Sequence, residues 1–304
     1  MRLATILLIS GTLLAGCEVN LNTEGLSARE VKTFTVAGQP EVVLDTFDGA
    51  IELHSWDRNE IEVEVEKRAM EQALLDEIKI DAQQQGDKII VKVTGPRRGR
   101  HGVTIGVNIS PTARLRVAVP RSANITAMSG DGSIKAEAIE GKIVLRTSDG
   151  SVSATRLGGD IQIRSGDGSI RIDNTTGKLD LETDDGSVGV EARPSVLHLK
   201  TGDGSVRVTV DPETVMTENW DITTSDGSVT VTLPGIFNAE LDAETSDGRV
   251  RTNHPLLDSD GEDRRDGESN SQRRERRRTL HAKMGDGGKT LKVRSGDGTI
   301  TIVR

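Results

Sequence analysis

Aromatic residues are nearly missing from this chain of 304 residues, which has no Tyr, three Phe and two Trp. An ordinary globular enzyme core is seldom built with so few rings, and aromatics for stacking sugars are nearly absent on the same count. A narrow interior lined by aliphatic side chains fits the composition instead. Cysteine occurs once, at Cys17, so no disulfide can form within the chain. The five histidines, His54, His101, His198, His254 and His281, are scattered, with no HExxH pair or other close ligand spacing, and each reads as a surface residue. No G-x-S-x-G elbow is present. A net charge of −9 disfavours nucleic acid as a partner. The one sizeable apolar run, residues 3–14, is too short for a stable membrane-spanning helix.

What the chain does have is a repeat. Nine of the Asp-Gly pairs in the chain stand on a shared scaffold of flanking residues. Asp131, Asp149, Asp167, Asp185 and Asp203 each precede Gly, eighteen residues apart without a slip. Looser copies follow at Asp226, Asp247 and Asp297, and one stands upstream at Asp48. A fixed period signals a fold of stacked, similar units. Before each turn, aliphatic residues alternate with polar ones, as in Ile143 and Leu145, Ile161 and Ile163, Leu179 and Leu181. After it they alternate again, as in Val152 and Ala154, Ile170 and Ile172, Val188 and Val190. Alternation of this kind belongs to half-buried strands. Each unit is thus two short strands joined at Asp-Gly, closed by a second corner such as Gly158-Gly159 or Arg193-Pro194. Glycine is expected to supply a positive φ at the turn, and Asp to bond its side chain to nearby backbone.

The fold class is all-β. In the favoured architecture, a β-solenoid (β-helix) of about 18-residue coils, each strand pairs with its counterpart one unit on, and the aliphatic columns become continuous. The alternative is an antiparallel β-meander of Asp-Gly hairpins. Constancy of the period favours the solenoid, because vertical stacking needs it and a meander does not. Residues 34–123 read as an N-terminal β region, a first coil plus a capping insertion. Strands are expected at 61–66, 78–82, 88–93, 103–109 and 115–119, with one helical turn at 71–76. Residues 124–304 read as the solenoid, interrupted by a disordered charged loop at about 255–283 that holds five Arg at 273–278. Such a loop can serve as a solvated connection, or it can contact an anionic partner.

The N-terminus reads as an address. Met1-Arg2, a short apolar core and Leu14-Ala15-Gly16-Cys17 describe a secretory signal over residues 1–16. Leu-Ala-Gly-Cys resembles the lipobox of bacterial lipoproteins, which implies an acylated Cys17, a polar tether over 17–33, and anchoring in a membrane. Glu18 rather than Asp after the Cys implies, by the same resemblance, the outer membrane.

Phe47-Asp48-Gly49, then Ile51-Glu52-Leu53-His54-Ser55-Trp56-Asp57, resembles the opening of a bacterial candidate-adhesin domain family of unknown function, and the Ser-Gly-Asp-Gly-Ser-Ile and Thr-Ser-Asp-Gly-Ser-Val units look like its body. The resemblance covers about residues 34–304 and implies a solenoid on an envelope protein, with an adhesin-like scaffold or interaction surface as the expected function and no enzyme activity. The partner would be an envelope protein or polysaccharide. Two other readings stand beside it. Parallel stacking would bring Asp131, Asp149, Asp167, Asp185 and Asp203 about 4.8 Å apart, a column that could hold Ca²⁺ or bind glycans, although Ca²⁺ as a cofactor is the weaker expectation against a structural turn. A polysaccharide-active β-helix enzyme would need acidic and basic groups gathered in one groove, whereas these Asp residues are spread evenly. Gly287-Gly288-Lys289-Thr290 ends like a phosphate loop, but Lys283 stands where its first Gly belongs.

Overall fold

The computed structural model of the chain describes residues 18–22, 25–96, 110–259 and 278–304. The described residues are all-β apart from one short helix. The N-terminal part contains β1 (Glu18–Asn22), β2 (Gly25–Thr35), β3 (Glu41–Thr46), β4 (Ile51–Trp56), β5 (Glu60–Ala69), α1 (Gln72–Glu77), β6 (Lys79–Gln85), β7 (Lys88–Thr94) and β8 (Thr112–Pro120). The repeats supply β9 (Asn124–Ser129), β10 (Ile134–Glu137), β11 (Glu140–Thr147), β12 (Val152–Thr155), β13 (Gly158–Ser165), β14 (Ile170–Thr183), β15 (Val188–Thr201), β16 (Val206–Val210), β17 (Trp220–Thr224), β18 (Val229–Thr232), β19 (Ala239–Thr245) and β20 (Val250–Thr252). Then come β21 (Leu257–Ser259), β22 (Thr279–Met284), β23 (Thr290–Ser295) and β24 (Ile300–Val303).

Strands one repeat apart pair in parallel and in register. Ile143 lies opposite Ile125 on one side and Ile161 on the other, and Val152 lies between Ile134 and Ile170. The strands flanking an Asp-Gly turn do not pair with each other, so the hairpin alternative is not formed by the described residues. They enter two separate parallel ladders instead. The first runs β7, β3, β9, β11, β13, the later halves of β14 and β15, then β17, β23 and β19. The second runs β8, β4, β10, β12, the earlier halves of β14 and β15, then β16, β18, β24 and β20. The alternating aliphatic residues of both ladders form one buried core. Trp220 and Ile222, absent from the linear alignment of repeats, take the two core places in the coil of Asp226 and are fully buried. Burying one Leu or Ile side chain stabilises by roughly 1.5–3 kcal/mol, so four per coil favour adding each further coil.

The second corner is made by left-handed residues. Ala138, Arg156 and Asn174 have φ of 59°, 54° and 51°. Each turns the next residue, Ile139, Leu157 or Thr175, into the core. The following coil carries Pro194, whose ring forbids a positive φ. There the register shifts twice, dropping the counterpart of Asn174 and adding Ser195, so the period of the coil survives.

Stacking order departs from chain order at both ends. The final coil, β23 and β24, is not the outermost: it lies between β17–β18 and β19–β20. In the same way β7 and β8 form a rung outside β3 and β4, so the first coil of the chain is the second of the stack. Outside these rungs the pairing becomes antiparallel. At one end β6 lies on β7, while β5, β2 and β1 follow β8. At the other, β22 lies on β19 and β21 on β22. The stretch expected to be a polar tether over 17–33 therefore carries strands. In β2, which is paired on both sides, Glu30 meets Lys67 at 2.7 Å, while Leu26, Ala28 and Phe34 pack on the core. The expected charged loop at 255–283 is bordered by β21 and β22. Residues 260–277, with four of the five Arg, lie outside the described residues, as does the strand expected at 103–109.

Candidate functional site

Each of the nine Asp-Gly turns is preceded, two positions before the Asp, by Ser or Thr, to which the repeat pattern alone assigns no role. These hydroxyls are buried and form a ladder of their own. Thr147 Oγ1 lies 2.9 Å from the Gly130 carbonyl and 3.0 Å from the Gly132 carbonyl, and it accepts the Gly150 N–H at 3.2 Å. Ser165 donates to the Gly150 carbonyl at 3.0 Å and accepts from Gly168 N–H at 3.1 Å. Thr183, Thr201, Thr224, Ser295 and Thr245 each donate to a glycine carbonyl of the neighbouring coil in the same way. Every hydroxyl thus closes its own turn or ties it to the next. Thr46 is the exception: its Oγ1 is buried with no partner, because Val93 rather than a turn lies opposite in the rung outside it.

The glycines of the turns have a different reason from the expected one. Among the nine, Gly49 alone has a positive φ, 128°. The others are glycine because backbone stacks on backbone: a Cβ on Gly150 would sit 2.2 Å from the Gly132 carbonyl oxygen, and one on Gly168 would sit 2.1 Å from that of Gly150. The residue before the Asp follows a second rule. In stacking order it reads Phe47, Gly130, Ser148, Gly166, Asp184, Gly202, Ser225, Gly296, Ser246. Glycine alternates with a side-chain-bearing residue without a break. A Cβ on Gly296 would meet the Ser225 carbonyl oxygen at 2.3 Å, so Ser246 is excluded from that place and the final coil fits there.

The Asp residues themselves stack in one column but stand outside the hydrogen bonding. Asp131, Asp149, Asp167, Asp185 and Asp203 are exposed, and their carboxylates have no hydrogen bond or ion pair among the described residues. The expected side-chain bond to local backbone is made by Ser and Thr instead. Among the described residues no three His, Cys, Asp or Glu side chains come together as a metal-binding group. Cys17 lies outside the described residues, as does His101. His54 and His281 are exposed, but His254 is not the surface residue expected. It is buried, with Nε2 2.9 Å from the Pro234 carbonyl and Nδ1 3.2 Å from that of Pro255.

The outer faces are charged and mostly paired. On the first ladder Arg164 meets Asp180 at 3.5 Å and also Glu182, and Lys200 meets Glu182 at 3.3 Å. Near the N-terminal end Arg116 holds Glu64 at 3.0 Å and Glu52 at 3.4 Å. Burial lowers its pKa, but hydrogen bonds and charge from those two carboxylates outweigh that and raise it. On the second ladder a groove of about 460 Å³ opens over Gly189, flanked by Arg171 and Arg207. Arg171 bonds Asp173 through Nε at 3.0 Å, and that hydrogen bond, then the carboxylate charge, raises its pKa. Asp173, Ser187, Glu191 and Ser205 also line this groove, so it presents donors and acceptors for a bound group.

A family model described as Toastrack DUF4097 matches residues 40–303. No curated protein matches the chain. Among solved structures, a candidate adhesin from Bacteroides fragilis is 12% identical, covering 90% of this chain and 96% of that one, with a TM-score of 0.46. A candidate adhesin from Parabacteroides merdae is 9% identical over 91% and 96%, with a TM-score of 0.43. A candidate cell adhesion protein from Clostridium sporogenes is 14% identical over 91% and 99%, with a TM-score of 0.28.

Proposed function

This chain belongs to the Toastrack DUF4097 family, and from that premise we propose that it is a non-enzymatic lipoprotein of a bacterial cell envelope whose coils, wound as a β-solenoid, form a rigid interaction scaffold. One observation carries the reading. The polar groups of the repeat are used rung after rung to hold the stack, hydroxyl to glycine carbonyl, and among the described residues no rung gathers a reactive set that its neighbours lack. Leu14-Ala15-Gly16-Cys17 supports anchoring through an acylated Cys17, and Glu18 supports the outer membrane. Binding would use the exposed faces of the ladders, toward an envelope protein or polysaccharide.

Membrane fractionation tests the anchor. The wild-type chain is expected with membranes, and Cys17→Ala in the soluble fraction; an unchanged distribution would refute anchoring. Pull-down from envelope extract with the domain that follows Cys17 tests the scaffold. Retention of a specific envelope component is expected, and capture of none overturns the reading.

A further inference from the structure

We propose that the second ladder carries a binding site for an acidic sugar residue, centred on Gly189. The outward column through this point reads, in stacking order, Lys135, Ser153, Arg171, Gly189, Arg207, Thr230. One side chain is missing from it, at Gly189. Nothing in the fold demands that glycine: its φ is not in the left-handed region, and an added Cβ would meet nothing within 4 Å. The turn glycines, by contrast, are each forced by a carbonyl of the adjacent coil. Glycine inside a strand weakens it and often marks close approach of a ligand to the backbone.

The walls of the notch supply chemistry. Arg171 and Arg207 stand one rung to either side, about 10 Å apart from two strand spacings. Ser187 closes the turn side and Glu191 the other, with Ser205 and Thr209 beside Arg207. The volume, about 460 Å³, is that of a small-ligand site. Arg207 has no ion pair or hydrogen bond among the described residues, so a guanidinium is free to take a carboxylate in a two-pronged contact. The serine hydroxyls and Glu191 then match the hydroxyls of the same sugar. Recognition by carboxylate needs no aromatic platform, in keeping with the dearth of rings.

The inference deepens the reading of the chain as an interaction scaffold and rests on it, yet the two fail separately. Calorimetric titration with tri-galacturonate, its methyl ester and inorganic phosphate tests the site on the domain that binds in the pull-down. Saturable binding of the acid is expected, with the ester and phosphate at least roughly tenfold weaker. Gly189→Val, which fills the notch, and Arg207→Gln should each weaken binding by roughly tenfold or more, while Lys135→Gln, three rungs away, leaves it within about twofold. Gly189→Val is expected to melt no lower than wild type, which separates loss of the site from loss of the fold. No saturable binding of the acid, equal binding of the ester, or equal loss in Lys135→Gln overturns the site. The scaffold reading falls only if the wild-type domain captures no envelope component.

Discussion

Replacing one buried threonine by valine should destabilise the protein, and the same change two rungs away in the hydroxyl ladder should stabilise it. Thr147 Oγ1 contacts the carbonyls of Gly130 and Gly132 and accepts the Gly150 N–H. Valine keeps the shape and removes those partners. The Gly130 carbonyl retains the Ser148 N–H at 2.8 Å, but the Gly132 carbonyl and the Gly150 N–H are left unpaired. Each orphan costs about 1–3 kcal/mol, and the added methyl returns part of it, so Thr147→Val should lose about 2–4 kcal/mol. Thr46 has no hydrogen bond to lose. Its buried hydroxyl is already uncompensated, so Thr46→Val should gain about 1–2 kcal/mol. Urea unfolding followed by the strand circular dichroism band reads both, provided the slopes match wild type. If the two variants shift in the same direction, or Thr147→Val is neutral, the hydroxyls do not hold the turns.

Two further outcomes follow from the glycines and from the stacking order. Gly168→Ala puts a Cβ 2.1 Å from the Gly150 carbonyl oxygen and should cost about 1–3 kcal/mol, whereas Gly189→Ala, with open space around it, should be neutral or gain up to about 1 kcal/mol; thermal melts of the pair decide it. Truncation after Lys289 removes the rung between β17–β18 and β19–β20, and hydrogen exchange should then show lost protection over residues 239–252 while residues 124–210 keep theirs; retained protection over 239–252 would mean that this coil can dock on β17–β18 unaided.

The middle of the molecule was legible in the sequence because a strand alternates its side chains with period two and a vertical stack requires a constant period. Ile143, Leu145, Val152 and Ala154 therefore marked the core of their coil, and all four are buried. The ends were less legible, because an alignment of repeats is linear while a new rung can dock on either side of an existing one. The final coil carried a readable clue: Ser225 and Ser246 follow each other in the chain, and Gly296 restores the alternation in space. The physics of the turn was not legible. Asp-Gly is a φ > 0 signal that only Gly49 of the nine obeys, whereas close backbone stacking selects the glycine and the preceding Ser or Thr does the bonding. Strand β2 was hidden because its exposed positions, Arg29, Thr33 and Thr35, are polar, and the contact of buried His254 with the Pro234 carbonyl joins residues twenty apart that no spacing rule links.

The antiparallel strands at the margins bear on assembly. A parallel rung left open would offer the next molecule the same template it offers its own next coil, and copies could add end to end into a filament. On the β7 and β8 side both ladders are overlaid by strands running the opposite way. Among the described residues, on the far side, β22 and β21 overlay the first ladder, and the second finishes at β20, three residues long. Growth by repetition is thus written into the body of this chain, and polymerisation is opposed where that body stops.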